Sequence, residues 1–116
     1  MLSKSKAIIK FDIVIAYLRK EIAHHALTQG VQTAGDYQHG AHEYHWMTSQ
    51  QIEGFLAKSK SKAASDLQMV ADYLTSEDLK ALQATIQDAS NVKASRQTLR
   101  ALKRTRKKVN DSIYAS

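Results

Sequence analysis

Phe11, Ile15, Leu18, Ile22 and Ala26 recur at spacings of four, three, four and four residues. Spacings of this kind draw one apolar stripe on a helix, and they predict a helix from about Lys4 to Gln29. The same segment carries a rival period. Ile9, Phe11, Ile13, Ile15 and Tyr17 alternate with period two, and their largely β-branched content suits a strand. The remainder of the chain decides between the two, because it offers no second convincing strand. A lone strand leaves its backbone N–H and C=O groups unsatisfied. Helix is therefore the expectation.

Gly30 is placed to stop that helix, and the stretch from there to Met47 holds three of the four glycines, three histidines and no apolar period, so it reads as the main loop. Thr48 or Ser49 then serves as N-cap for a helix carrying Ile52, Phe55 and Leu56. The polar stretch Lys58-Ser59-Lys60-Ser61-Lys62 interrupts the stripe, which resumes at Ala63, Leu67, Val70 and Leu74. Two arrangements fit: two helices joined by a tight turn, or one helix with a polar waist. Thr75 and Ser76 cap a shorter helix with Leu79, Leu82 and Ile86, and Asn91 punctuates before a last helix of about 92–114. There Leu99, Leu102, Val109 and Ile113 form an apolar stripe, and Arg96, Arg100, Lys103 and Lys107 form a separate basic one.

These elements predict an all-α fold, a compact bundle of four to five helices with one Gly/His-rich loop, as a single helical domain over residues 1–116. A hint of duplication accompanies them. Ser3-Lys4-Ser5-Lys6-Ala7 returns as Ser59-Lys60-Ser61-Lys62-Ala63, and Val14, Tyr17, Leu18 and Glu21 match Val70, Tyr73, Leu74 and Glu77 at the same offset. Two similar helix starts explain the match as well as a repeated hairpin does.

Composition narrows function mainly by exclusion. The 116 residues include no cysteine, which removes disulfide scaffolds, thiolate metal sites and thiol catalysis. The most apolar stretch, Leu2 to Leu18, is broken by Lys4, Lys6, Lys10 and Asp12, so no membrane span is expected. No small-residue cleavage site follows the N-terminal lysines, and a cytoplasmic location is the expectation. The net charge of +6 is unevenly placed: residues 91–116 hold eight basic residues and the single acid Asp111, whereas residues 1–90 hold nine basic and ten acidic residues. The whole positive excess belongs to the C-terminal quarter, and such asymmetry points to a polyanionic partner.

Ser49 to Gln68 is the segment with the most specific pattern. Ile52, Leu56 and Ala63 occupy the positions at which a helix-turn-helix locks its two helices, Ala57 stands where a small residue is usual, and Ser59 and Ser61 match the turn and cap. The segment resembles a generic helix-turn-helix DNA-binding unit and no specific family. Glu53 and Asp66 depart from the pattern, where a small and an apolar residue are expected. The resemblance implies that Lys58, Lys60, Lys62, Ser65 and Gln68 lead a recognition helix, with lysines on phosphates and Ser or Gln on base edges. Arg96, Arg100, Lys103, Arg104, Arg106, Lys107 and Lys108 extend the expected nucleic-acid surface.

Other chemistry is thinly represented. His39, His42 and His45 are candidate metal ligands, but histidines three apart fan over about 120° of a helix and match no zinc motif, so an incidental polar loop is the simpler reading. Arg19-x4-His24 has a spacing found in helical-bundle ribonucleases, where an arginine holds phosphate charge and a histidine moves the proton; Lys20 replaces the polar residue that usually follows the arginine. No phosphate-cradling glycine loop or nucleophile elbow occurs, so no cofactor is expected. The expectation is a small basic noncatalytic DNA-binding regulator or accessory protein, acting on duplex DNA as a homodimer. The alternative is a helical interaction module or inhibitor that docks its basic face on an acidic protein partner. A membrane partner ranks lower, because the basic helix lacks large apolar anchors.

Overall fold

The apolar period that reads as helix in the sequence is the one the chain adopts. The computed structural model describes residues 2–29 and 48–114, and α1 runs Lys4–Gln29. Phe11, Ile15, Leu18, Ile22 and Ala26 are all buried, whereas Ile9 is 60% exposed. Period two would have placed Ile9 and Phe11 on the same face; the helix turns them to opposite ones. The Gly/His-rich segment, with His39, His42 and His45, lies outside the described residues.

The second helix, α2, spans Ser49–Met69 and opens on a capping box. Thr48 Oγ1 accepts from the Gln51 backbone N–H at 3.2 Å, and the Gln51 side chain accepts from the Thr48 N–H at 2.9 Å. Of the two arrangements open for residues 58–62, the single helix with a polar waist forms, and no turn interrupts it. The local sequence permits it. No glycine or proline follows Gly54 in α2, and the Ser61 hydroxyl lies 3.4 Å from the Ala57 carbonyl one turn back, where it joins the helix instead of capping a new one. Asp66, at a position that a helix-turn-helix would fill with an apolar residue, is buried and lies 3.2 Å from Lys10 Nζ of α1 and 3.5 Å from Lys62 Nζ.

A 3-10 turn at Ala71–Tyr73 leads to α3, Ser76–Gln87, whose N-cap Thr75 accepts from the Asp78 N–H at 3.1 Å. Asn91 caps α4, Val92–Tyr114, by accepting from the Ala94 N–H at 3.0 Å. The described residues thus form an all-α fold of four α-helices with no strand. The offset between residues 3–21 and 59–77 is not a structural repeat. Ser3-Lys4 begins α1 while Ser59–Ala63 lies inside α2, and Tyr17 sits within a helix while Tyr73 ends the 3-10 turn.

Packing follows the stripes. α1 lies against α2 on one side and α4 on the other, and α3 also spans α2 and α4. Phe11 and Leu18 of α1, Leu67 of α2, Leu82 of α3 and Leu102 of α4 are fully buried in one shared cluster. Each such side chain stabilises the fold by about 1.5–3 kcal/mol relative to exposure. Tyr73 packs edge-on to Phe11 at 6.4 Å and its hydroxyl donates to the Leu2 carbonyl, which ties the start of α1 to the turn after α2. This core leaves one long face of α4 to solvent.

Candidate polyanion interface

Helical geometry divides α4 into two faces. Val92, Ser95, Leu102 and Val109 are buried and Leu99 is half-buried, while Lys93, Arg100, Lys103, Arg104, Lys107 and Lys108 are exposed. From Lys93 to Lys108 this basic face covers roughly 22 Å of helix axis at about 1.5 Å per residue. Among the described residues, Arg100, Lys103, Arg104 and Lys108 have no carboxylate within ion-pair distance. Lys107 differs: its Nζ lies 2.8 Å from Asp111 Oδ2 one turn on, and that hydrogen bond raises its pKa above the ordinary lysine value.

Arg106 also departs from the expected surface. Its Nε donates to Asp12 Oδ1 at 2.6 Å and its Nη2 to Asp12 Oδ2 at 3.3 Å, and the hydrogen bonding to Asp12 pushes its pKa up. It stands seven residues from both Leu99 and Ile113, two turns along the same side of the helix, so its place is on the packing side of α4. There it clamps α4 to α1. That sevenfold register was the sequence signal for its role.

The lysines of α2 do not act as one group. Lys60 Nζ donates to the Gln87 carbonyl at the end of α3 at 2.9 Å, and Lys62 pairs with Asp66. Lys58 and Ser65 are exposed, and Gln68 lines a cleft of about 420 Å³ between α2 and α3 together with Gln83 and Gln87. Because α2 continues without a turn, Lys58, Lys60 and Lys62 sit in its middle, and Ser65 and Gln68 lie toward its C-terminal end. The basic face of α4 and the lysines of α2 lie on helices that α1 and α3 bridge.

One cation from outside α4 does reach its face. A groove of about 500 Å³ runs between α1 and α4; Asp12, Ile15 and Arg19 line it from α1, and Lys103, Arg104, Arg106 and Lys107 from α4. The Arg19-x4-His24 spacing groups Arg19 with His24 instead. Five residues apart on a helix, the two point about 140° away from each other. Arg19 lines the groove, whereas His24 is half-buried, with its ring edge-on to His25 at 5.4 Å. Burial first, and then the neighbouring His25, pull the His24 pKa below the ordinary histidine value. Beside it, Tyr17 Oη donates to Glu21 Oε1 at 3.0 Å and His25 Nε2 lies 3.2 Å from Glu21 Oε2, so the buried carboxylate is held from both sides.

Among the described residues no cluster of three or more His, Asp or Glu side chains is arranged to hold a metal ion, and no helix is long and apolar enough to cross a membrane. In comparisons with protein-family models, curated proteins and solved structures, none matches this chain.

Proposed function

We propose that this chain is a noncatalytic nucleic-acid-binding protein that holds the sugar–phosphate backbone, that of duplex DNA first, against the outer face of α4. The observation that carries the reading is the row Arg100, Lys103, Arg104 and Lys108: exposed, on one helix, and without carboxylate partners among the described residues. Cations held in a row by a helix whose other side is locked in the core are preorganised for a polyanion. Each phosphate they neutralise releases a condensed counterion. Contacts of this kind fix position on the backbone and carry no sequence information, so the role is that of an accessory factor or a regulator that reads sequence elsewhere.

A mobility-shift titration over duplex DNA, single-stranded DNA and RNA at two salt concentrations tests the reading. Steep loss of duplex binding at the higher salt supports it. Absence of binding to every nucleic acid, with an acidic protein bound instead, assigns the same face to protein docking. Sedimentation of the complex shows whether two copies share one duplex.

A further inference from the structure

We infer that the groove between α1 and α4 seats a phosphate group of the bound nucleic acid, with Arg19 contacting it from α1 and Lys103 and Arg104 from α4. The inference rests on the reading of α4 as a nucleic-acid interface and adds a second helix to it.

The groove holds more positive than negative charge. Among the described residues that line the groove, Asp12 is the one carboxylate, and both Asp12 oxygens are engaged by Arg106, at 2.6 and 3.3 Å. Lys107 is engaged by Asp111 at 2.8 Å. Arg19, Lys103 and Arg104 remain, three cations from two helices around one concavity, with no carboxylate pairing to them among the described residues. Holding like charges together costs energy in the free protein, and a bound anion relieves it. A guanidinium presents a planar fork that matches two phosphate oxygens, and the two α4 cations flank it as further donors. The groove's roughly 500 Å³ exceeds what a phosphate alone fills, which leaves room for an attached sugar.

The geometry has a consequence for the path of the bound strand. A backbone lying only along α4 would be indifferent to α1. One that places a phosphate in the groove crosses from α4 toward α1, and Arg19 then sets its register.

The experiment uses the full chain, a short fluorescent duplex titrated at several salt concentrations, and sodium tripolyphosphate and polyglutamate as separate calorimetric probes. Arg19→Gln is compared with Arg19→Lys and with Arg100→Gln, which lies outside the groove, and the thermal midpoint of each is measured. Arg19→Gln is expected to lower the log–log salt slope by about 0.9, the value for one phosphate contact, and to abolish tripolyphosphate binding. Arg19→Lys keeps the slope and weakens duplex binding several-fold, because the charge stays and the fork is lost; a folded Lys variant carries the test if the Gln variant does not fold. Arg100→Gln lowers the duplex slope and leaves tripolyphosphate binding intact. If Arg100→Gln weakens duplex binding and neither Arg19 variant does, the groove is overturned and the α4 interface stands. Polyglutamate binding as tightly as tripolyphosphate, with the same dependence on Arg19, overturns the phosphate assignment. If the parent binds no nucleic acid, both readings fall, and the tripolyphosphate arm shows whether the groove takes a free polyphosphate.

Discussion

Arg106 and Asp12 form a two-point ion pair between α4 and α1, with Nε 2.6 Å from one carboxylate oxygen and Nη2 3.3 Å from the other. Both side chains retain solvent contact, 33% for Arg106 and 54% for Asp12, so the pair contributes only about 0.5–1 kcal/mol to stability. Arg106→Gln should lower the thermal midpoint slightly and change duplex affinity less than Arg100→Gln does. Asp12→Asn should cost similar stability but tighten duplex binding at low salt, since it removes a negative charge and releases Arg106. Equal losses of affinity in Arg106→Gln and Arg100→Gln would place Arg106 on the binding surface after all.

This pair marks where the sequence is legible and where it is not. The stripe of α1, the capping role of Thr48, Thr75 and Asn91, and the split faces of α4 follow from spacing and from side-chain chemistry that acts within one turn of helix. Whether residues 58–62 bend was undetermined because serine and lysine are tolerated both in turns and in helix interiors; Lys60 reaching the end of α3 and Asp66 meeting Lys10 are tertiary contacts that no local pattern encodes. The placement of Arg19 in one groove with Lys103 and Arg104 is likewise a product of how α1 and α4 pack.

Gly54 sits within α2, exposed, and a Cβ built on it meets nothing within 4 Å. The position gains nothing from glycine and bears its backbone entropy cost. Gly54→Ala should raise stability by about 0.5–1 kcal/mol, read as a higher urea midpoint with an unchanged slope. A lower midpoint would mean that this site needs a conformation alanine cannot adopt.

Asp66 is the buried charge of the α1–α2 interface, with its side chain 4% exposed and Lys10 as its nearer partner. Its Oδ2 has no hydrogen-bond donor, the 3.5 Å approach of Lys62 being an ionic contact only. Asp66→Ala should cost about 1–3 kcal/mol, because it leaves Lys10 facing an apolar seam. Asp66→Leu combined with Lys10→Met should recover most of that loss, as apolar replacement of a buried pair usually does. A double variant no more stable than Asp66→Ala would mean that the pair orders the two helices as well as satisfying charge.

His24 titrates below an ordinary histidine because it is half-buried and beside His25, with Glu21 and Glu53 opposing the shift more weakly. The unfolded chain therefore takes up this proton more readily than the folded one. The associated stability is complete above pH of about 6.5 and is lost as pH falls through the lower, folded value. Thermal midpoints measured between pH 7.5 and 5 should decline, and His24→Gln should make the decline shallower. An unchanged profile in that variant would mean that His24 does not carry the pH dependence.

The charge assignments on α4 and α2 can be separated by salt dependence. Replacing Arg100, Lys103 and Arg104 together with Gln removes three exposed cations that lack carboxylate partners among the described residues, and should lower the log–log salt slope for duplex binding by roughly 2.7, about 0.9 for each phosphate contact. Lys107→Gln alone should lower it less, because Asp111 already offsets that charge. Ser65→Ala with Gln68→Ala should leave affinity for any duplex sequence unchanged, since both residues lie toward the C-terminal end of α2, away from the basic face of α4, and Gln68 lines the α2–α3 cleft. The fold is expected to survive all of these changes, which leave the buried side of α4 intact, and circular dichroism checks that it does. A folded triple variant that binds duplex with the parent's slope would remove the electrostatic basis for the interface. A loss of about 1–3 kcal/mol confined to one preferred sequence in the Ser65 and Gln68 variant would instead place base contacts on α2.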